Sequence, residues 1–120
     1  MSEPSEIRVP GRAAAPGRAS GLAHLVNVAS LHQPVPTGCI LVTRILHPHQ
    51  APLLARVAGI VTEEGSLLQH ATTLAREFGV PAVVGVRGAT AQVREGDRIE
   101  VDGDLGIVIL QGRSVDGSTQ

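Results

Sequence analysis

His70 is the residue with the most chemistry around it. It lies five positions after Gly65, in a segment where Leu67, Leu68, Ala71, Leu74, Ala75 and Phe78 recur at helical spacing. Ser66 is a natural N-cap and Gly79 a natural stop, so the pattern predicts a helix ending near Phe78. At about 100° per residue, His70 stands roughly 90° from the centre of the apolar stripe, near Thr73 and Glu77. It flanks the core rather than entering it. The start of a helix presents unpaired backbone N–H groups and the positive end of the macrodipole, which suit an anionic group such as phosphate. A neutral imidazole there is a nucleophile with phosphate-stabilising donors beside it. On spacing alone, a half-buried surface histidine satisfied by a backbone carbonyl explains the residue as well, and that is the commoner fate of a lone histidine on a helix.

Other candidates carry less. His47 and His49 flank Pro48 and could form a metal pair, but no third His and no clustered Cys or Asp lies nearby in sequence, so no metal site is assigned. His24 falls in a strand pattern and His32 beside a loop, neither with partners. Asp97, Asp102 and Asp104 are explained by turn chemistry. Arg76, six positions beyond His70, points about 120° away from it around an ideal helix. It is therefore read as paired to a carboxylate or backbone group at a packing seam, with a phosphate contact as the competing role. No Gly-x-Ser-x-Gly elbow is present, which leaves hydrolase readings without support.

Composition narrows the rest. A chain of 120 residues with 42% hydrophobic and 18% charged residues has the size of one globular domain with one core. Net charge is -1 and Phe78 is the single aromatic, so neither a basic patch nor a stacking platform for nucleic acid is available. All ten basic residues are Arg, which excludes a Walker-type loop and Schiff-base chemistry. Cys39 is alone and adjoins Ile40, Leu41 and Val42, the setting of a buried thiol. No apolar run reaches the roughly 18 residues a membrane helix needs, and Met1 to Arg12 lacks a signal-peptide pattern, so the expected location is the cytoplasm.

These residues are positioned by several short strands. Leu22 to Val28, Cys39 to Thr43, Ala58 to Thr62 and Pro81 to Gly85 read as strands, and a short helix is expected from Pro48 through Leu53, Leu54 and Val57. Arg98 to Asp102 and Leu105 to Leu110 flank Gly103 and Asp104 as a hairpin. Residues 1–20, rich in Pro and Gly, are expected to be a flexible N-terminal arm, residues 21–111 the domain, and residues 112–120 a disordered tail.

The stretch from Gly59 to Gly85, GIVTEEGSLLQHATTLAREFGVPAVVG, resembles the phosphohistidine, or swivelling, mobile domain of phosphoenolpyruvate-utilising enzymes such as pyruvate phosphate dikinase and phosphoenolpyruvate synthase. The likeness runs from Pro16 to Leu110, through Gly38 to Thr43, Pro52 to Leu54 and Gly96 to Gly103. Its most specific part is the step from Gly65 to His70, followed by Ala75, Arg76, Glu77, Pro81 and Ala82. It implies an α/β chain with the swivelling β/β/α fold, a single compact domain. It also implies that His70 is transiently phosphorylated, with Thr62, Gly65, Ser66 and Gln69 steadying the ring or the phosphate. Such a domain is a carrier and not a complete enzyme: it binds no cofactor itself, and Mg²⁺ with ATP or phosphoenolpyruvate is expected on the partner. Those partners would be separate ATP-grasp-type nucleotide-binding and phosphoenolpyruvate- or pyruvate-binding proteins. Two positions depart from the family pattern, Ser66 where a second Gly is usual and Gln69 where a small hydroxyl or thiol residue precedes the histidine. They motivate the alternative of a non-catalytic regulatory or interaction module that keeps the fold.

Overall fold

An apolar run without alternation, such as Ile40 to Thr43 or Gly59 to Thr62, is stable as a strand only when both of its faces are covered. The computed structural model, which describes residues 6–26, 35–46, 48–64 and 68–111, meets that demand with three layers. In chain order the elements are β1 (Ile7–Pro10), β2 (Arg12–Ala15), β3 (Arg18–Val26), β4 (Ile40–Thr43), a 3-10 helix (Pro48–Ala55), β5 (Gly59–Thr62), α1 (Leu68–Phe78), β6 (Ala82–Val84), α2 (Ala89–Gln92), β7 (Arg98–Asp102) and β8 (Ile107–Gln111). The strands hydrogen-bond in the order β1-β8-β7-β3-β4-β5-β6-β2.

β3 serves two sheets. Arg18 to Leu22 pair antiparallel with β7, and Ala23 to Val26 pair parallel with β4. β4, β5 and β6 are mutually parallel, and parallel neighbours require crossovers, supplied here by the 3-10 helix and by α1. Side-chain alternation then divides the core. Leu41, Ile60, Ala82 and Val84 pack towards Leu54, Ala75 and Val80 on the helical side. Ile40, Val42, Val61 and Val83 pack towards Ile99, Val101, Val108 and Leu110 of the antiparallel sheet. The result is the expected β/β/α layering.

The expectation of a mobile arm over residues 1–20 is corrected from Ile7 onward. Ile7 to Pro10 pair with β8, and Arg12 to Ala15 pair with β6 at the opposite end of the strand order. The sheet therefore folds over until its first and last strands are joined by Gly11 alone. A Cβ at Gly11 would stand 2.7 Å from the carbonyl oxygen of Val84, so only glycine passes there. Pro10 and Gly11 mark the corner between edge strands, and edge strands are where a sheet tolerates proline. Residues 1–5 and 112–120, the latter expected as a tail, lie outside the described residues.

Other boundaries move less. β3 begins at Arg18, four residues before the expected strand; Asn27 and Val28 lie outside the described residues. The segment after Pro48 is a 3-10 helix that contains Pro52. α1 ends as expected at Gly79: the Val80 amide donates to Ala75 O at 2.9 Å and the Gly79 amide to Arg76 O at 3.2 Å, with Gly79 at φ 68°. These are the two bonds of a Schellman cap. Phe78, expected on the buried stripe, is instead exposed. In the hairpin the turn spans residues 103–106, and Asp102 Oδ1 accepts from the amides of Asp104 and Leu105, both at 3.0 Å. Asp97 likewise accepts a local amide, that of Arg94, so Asp97 and Asp102 do the expected turn chemistry. Asp104 differs, its carboxylate accepting the amide of Gly17 from 87 positions away and tying the turn to the start of β3. Cys39 is buried, and burial pushes its thiol pKa up, as expected for a core cysteine. No described helix is long and apolar enough to cross a membrane.

Candidate functional site

The parallel strands β4 and β5 end side by side at Thr43 and Thr62. In open α/β sheets the carboxyl ends of parallel strands are where loops gather into sites. Both threonines are buried and use the same local device: the Thr62 hydroxyl donates to Glu64 O at 2.9 Å, and the Thr43 hydroxyl donates to Ile45 O at 3.2 Å. Each bond ties a strand's last residue to the carbonyl two residues on, where the chain leaves the sheet. The bends are then tied to their neighbours. Glu63 N–H donates to Thr43 O at 3.2 Å, Glu64 N–H to Arg44 O at 2.8 Å, and Val86 N–H to Thr62 O at 2.9 Å. The Glu63 carboxylate reaches across to α2, where it accepts the Thr90 amide at 2.8 Å and the Thr90 hydroxyl.

The chain thus leaves β5 from a fixed platform and enters α1, whose first turn carries Gln69 and His70. Of the residues expected to act, Thr62 lies on the platform, and its single hydroxyl hydrogen is spent on Glu64 O, so in this conformation it shapes the loop. The backbones of Gln69 and His70 lie in α1, and their side chains are outside the described part. Gly65 and Ser66 lie outside the described residues. So do His47 and the side chain of His49, and with them the metal pair considered above.

Arg76 takes the seam role. Its Nε donates to Ala14 O at 3.2 Å and fastens α1 to β2. At a rise of about 1.5 Å per residue it is roughly 9 Å along the helix axis from His70. A cleft of about 550 Å³ lies at this far end of α1, between Ala13 to Pro16, Val80 and Asp104, away from the start of the helix.

Two residues that sequence reasoning passed over, Glu63 and Thr90, complete the platform. The available signal was the helix Ala89–Gln92 itself, which starts at Gly88 and has no side-chain cap hydrogen bond of its own. An uncapped helix start needs an acceptor from elsewhere.

Another acidic residue, Glu95, sits next to the buried His24. The His24 ring lies 2.9 Å from Glu95 Oε2 through Nδ1, and Glu95 Oε1 accepts the Leu25 amide at 2.8 Å. Desolvation opposes the charge of Glu95, but the Leu25 amide and the His24 ring outweigh it and hold the carboxyl below its ordinary value. A depressed carboxyl contributes stability above its unfolded-state value, and that contribution is lost as pH falls through the lower folded value. In urea titrations, wild type is therefore expected to lose stability relative to Glu95→Gln as pH drops below 4.5. The Glu95 side chain is 60% exposed. Solvent screening thus keeps the difference under about 1 kcal/mol, and parallel curves for the two proteins down to pH values of about 3 would remove the assignment.

Comparison with known proteins gives the family and the fold. The family model described as "PEP-utilising enzyme, mobile domain" matches residues 35–106. A probable phosphoenolpyruvate synthase of Archaeoglobus fulgidus is 42% identical over 115 residues, 94% of this chain and 15% of that protein. Chondramide synthase of Chondromyces crocatus is 43% identical over 106 residues, 88% of this chain and 3% of that protein. The chain thus spans a small part of the curated relatives it matches. Among solved structures, an Enzyme I protein superimposes with a TM-score of 0.58 at 31% identity, covering 76% of this chain and 36% of that one.

Proposed function

From the premise that this chain belongs to the mobile-domain family of PEP-utilising enzymes, we propose that it is a phosphohistidine carrier that takes a phosphoryl group on His70 and passes it between two partner active sites. The observation that carries this reading is the coincidence of the family match with the platform at the end of β5, from which the chain runs through Gly65 and Ser66 into the helix bearing His70.

Phosphoryl transfer asks little of a protein beyond an in-line nucleophile, positioning and charge neutralisation. The neutral ring nitrogen of His70 forms the N–P bond while the donor's P–O bond breaks, and the leaving oxygen departs with the electron pair. The second transfer runs the same exchange towards an acceptor oxygen. Amides at the start of α1 would carry part of the phosphoryl charge, Gly65, Ser66 and Gln69 would steady the ring or the phosphate, and Thr62 would hold the loop. Mg²⁺ and the Arg residues that neutralise the transferring group belong to the partners, an ATP-grasp-type nucleotide-binding protein or domain and one that binds phosphoenolpyruvate or pyruvate. The cytoplasm, which supplies both donors, is the place of action in this reading.

The test is intact mass at neutral to alkaline pH after incubation with active cell extract plus ATP, and separately plus phosphoenolpyruvate. One acid-labile phosphoryl group is expected with one of the donors, mapping to the first turn of α1. No adduct under either condition would leave the non-catalytic module, the reading that Ser66 and Gln69 favour.

A further inference from the structure

We propose that Glu63 is the positioning residue of this site: by gripping Thr90 it locks the chain at Glu63 and Glu64, where it leaves β5, onto α2, and so sets where the His70 ring stands when a donor arrives. The inference rests on the carrier reading and adds to it a residue that acts through the loop.

Glu63 is held from two sides. Its backbone N–H is bound to Thr43 O on β4, and one carboxylate oxygen, Oε2, takes both the amide and the hydroxyl of Thr90. Its side chain is partly buried, so these charge-assisted bonds are shielded from water. A helix start is ordinarily capped by the residue just before it. Here the acceptor comes from 27 positions upstream, from the residue that follows the last residue of β5. Gly88 is left-handed, at φ 68° and ψ 21°, a conformation that strains any side chain and is not that of an ordinary N-cap, so the acceptor for α2 has to come from elsewhere. With the cap supplied by Glu63, the chain's exit from β5 and the placement of α2 become one mechanical unit, and six residues lie between Glu63 and His70.

The neighbouring Glu64 shows the contrast. It pairs with Arg44 at 3.3 Å, but both side chains are largely exposed, at 41% and 66%, and a screened pair of that kind fixes little.

The experiment uses Glu63→Gln, Thr90→Val and the double variant, with Glu100→Gln as a remote control on the antiparallel sheet, where Glu100 pairs with Arg18. Thr90→Val removes the hydroxyl without changing charge, so it separates positioning from electrostatics. Phosphoryl incorporation from the productive donor is expected to slow roughly tenfold in Thr90→Val and in Glu63→Gln, the size of one lost charge-assisted hydrogen bond. The half-saturating donor concentration should not move, and the double variant should be no slower than Glu63→Gln alone. Wild-type rates in both single variants, or multiplied losses in the double, would overturn the proposal. A second readout does not depend on transfer: the ring nitrogen signals of His70, followed by NMR through a pH titration, are expected to shift in Thr90→Val and Glu63→Gln and to stay put in Glu100→Gln. If wild type takes no phosphoryl group, the carrier reading fails and the ring signals alone decide. Unchanged ring signals in both variants sink the positioning role.

Discussion

His70→Ala is expected to abolish phosphoryl acceptance, slowing incorporation by at least about 10³-fold, because removing a nucleophile outright costs more than removing any group that assists it. The loss should be total in stoichiometry, since His70 is the single imidazole in the stretch from Gly59 to Gly85. Thr73 lies one turn further into the helix, and the threonine hydroxyl of Thr62 is bound to Glu64 O. A hydroxyl phosphoester would also survive acid, whereas the histidine adduct would not, so the chemistry of any residual label identifies its site. The fold should survive the substitution. Alanine is the best helix former and histidine a middling one, so α1 is not weakened by losing the ring, and the change in thermal midpoint should be no more than a few degrees, the shift that about 0.5 kcal/mol produces. Intact mass and a thermal melt on the same preparation check both halves. Acid-labile label on His70→Ala would move the acceptor elsewhere, while a collapsed melt would mean that the ring itself holds the fold.

How much of this was legible in the sequence depends on how local the cause is. Leu74, Ala75 and the Gly79 stop announced α1 because helical periodicity and a left-handed cap are written into neighbouring residues. The continuous apolar runs at Ile40 to Thr43 and Gly59 to Thr62 announced buried strands for the same reason. The first strands were missed because Pro10, Gly11, Pro16 and Gly17 signal a change of direction without saying whether a sheet receives the chain on each side. Their partners, β8 and β6, lie some 70 to 100 residues away in the chain. Phe78 fitted the stripe by angle, yet it is the last residue of its helix, where the chain already turns out of the core. At the site, His70 was found through the wording of the stretch from Gly59 to Gly85. The grip of Glu63 on Thr90 joins two segments whose spacing is fixed only once β5, β6 and α2 are assembled.

The same non-local logic places the largest stability effect far from His70, at Gly103. This glycine opens the turn between β7 and β8, and its amide donates to Gly17 O at 2.7 Å. A Cβ built there would overlap the carbonyl oxygen of Ala15 and stand 3.1 Å from Gly17 O, both of them backbone atoms that no rotamer change can clear. Gly103→Ala is therefore expected to destabilise by about 3 kcal/mol or more, at the upper end of overpacking costs and a large share of the 5 to 15 kcal/mol of an ordinary domain. Gly38→Ala is the matched control. Gly38 has φ 83° and nothing within 4 Å of the added carbon. It should therefore lose only the cost of a left-handed backbone, about 1 kcal/mol. Urea midpoints of the two variants should differ clearly, and equal midpoints would mean that β2 does not lie against the turn. The relief available to Gly103→Ala is to push β2 outward. That strains the bond from Arg76 to Ala14 O at the far end of α1 and leaves the β4 and β5 platform in place. Phosphorylation of Gly103→Ala should accordingly fall in proportion to its folded fraction and no further, so that a stability defect at one end of α1 and a chemical defect at the other are separable by the same mass measurement.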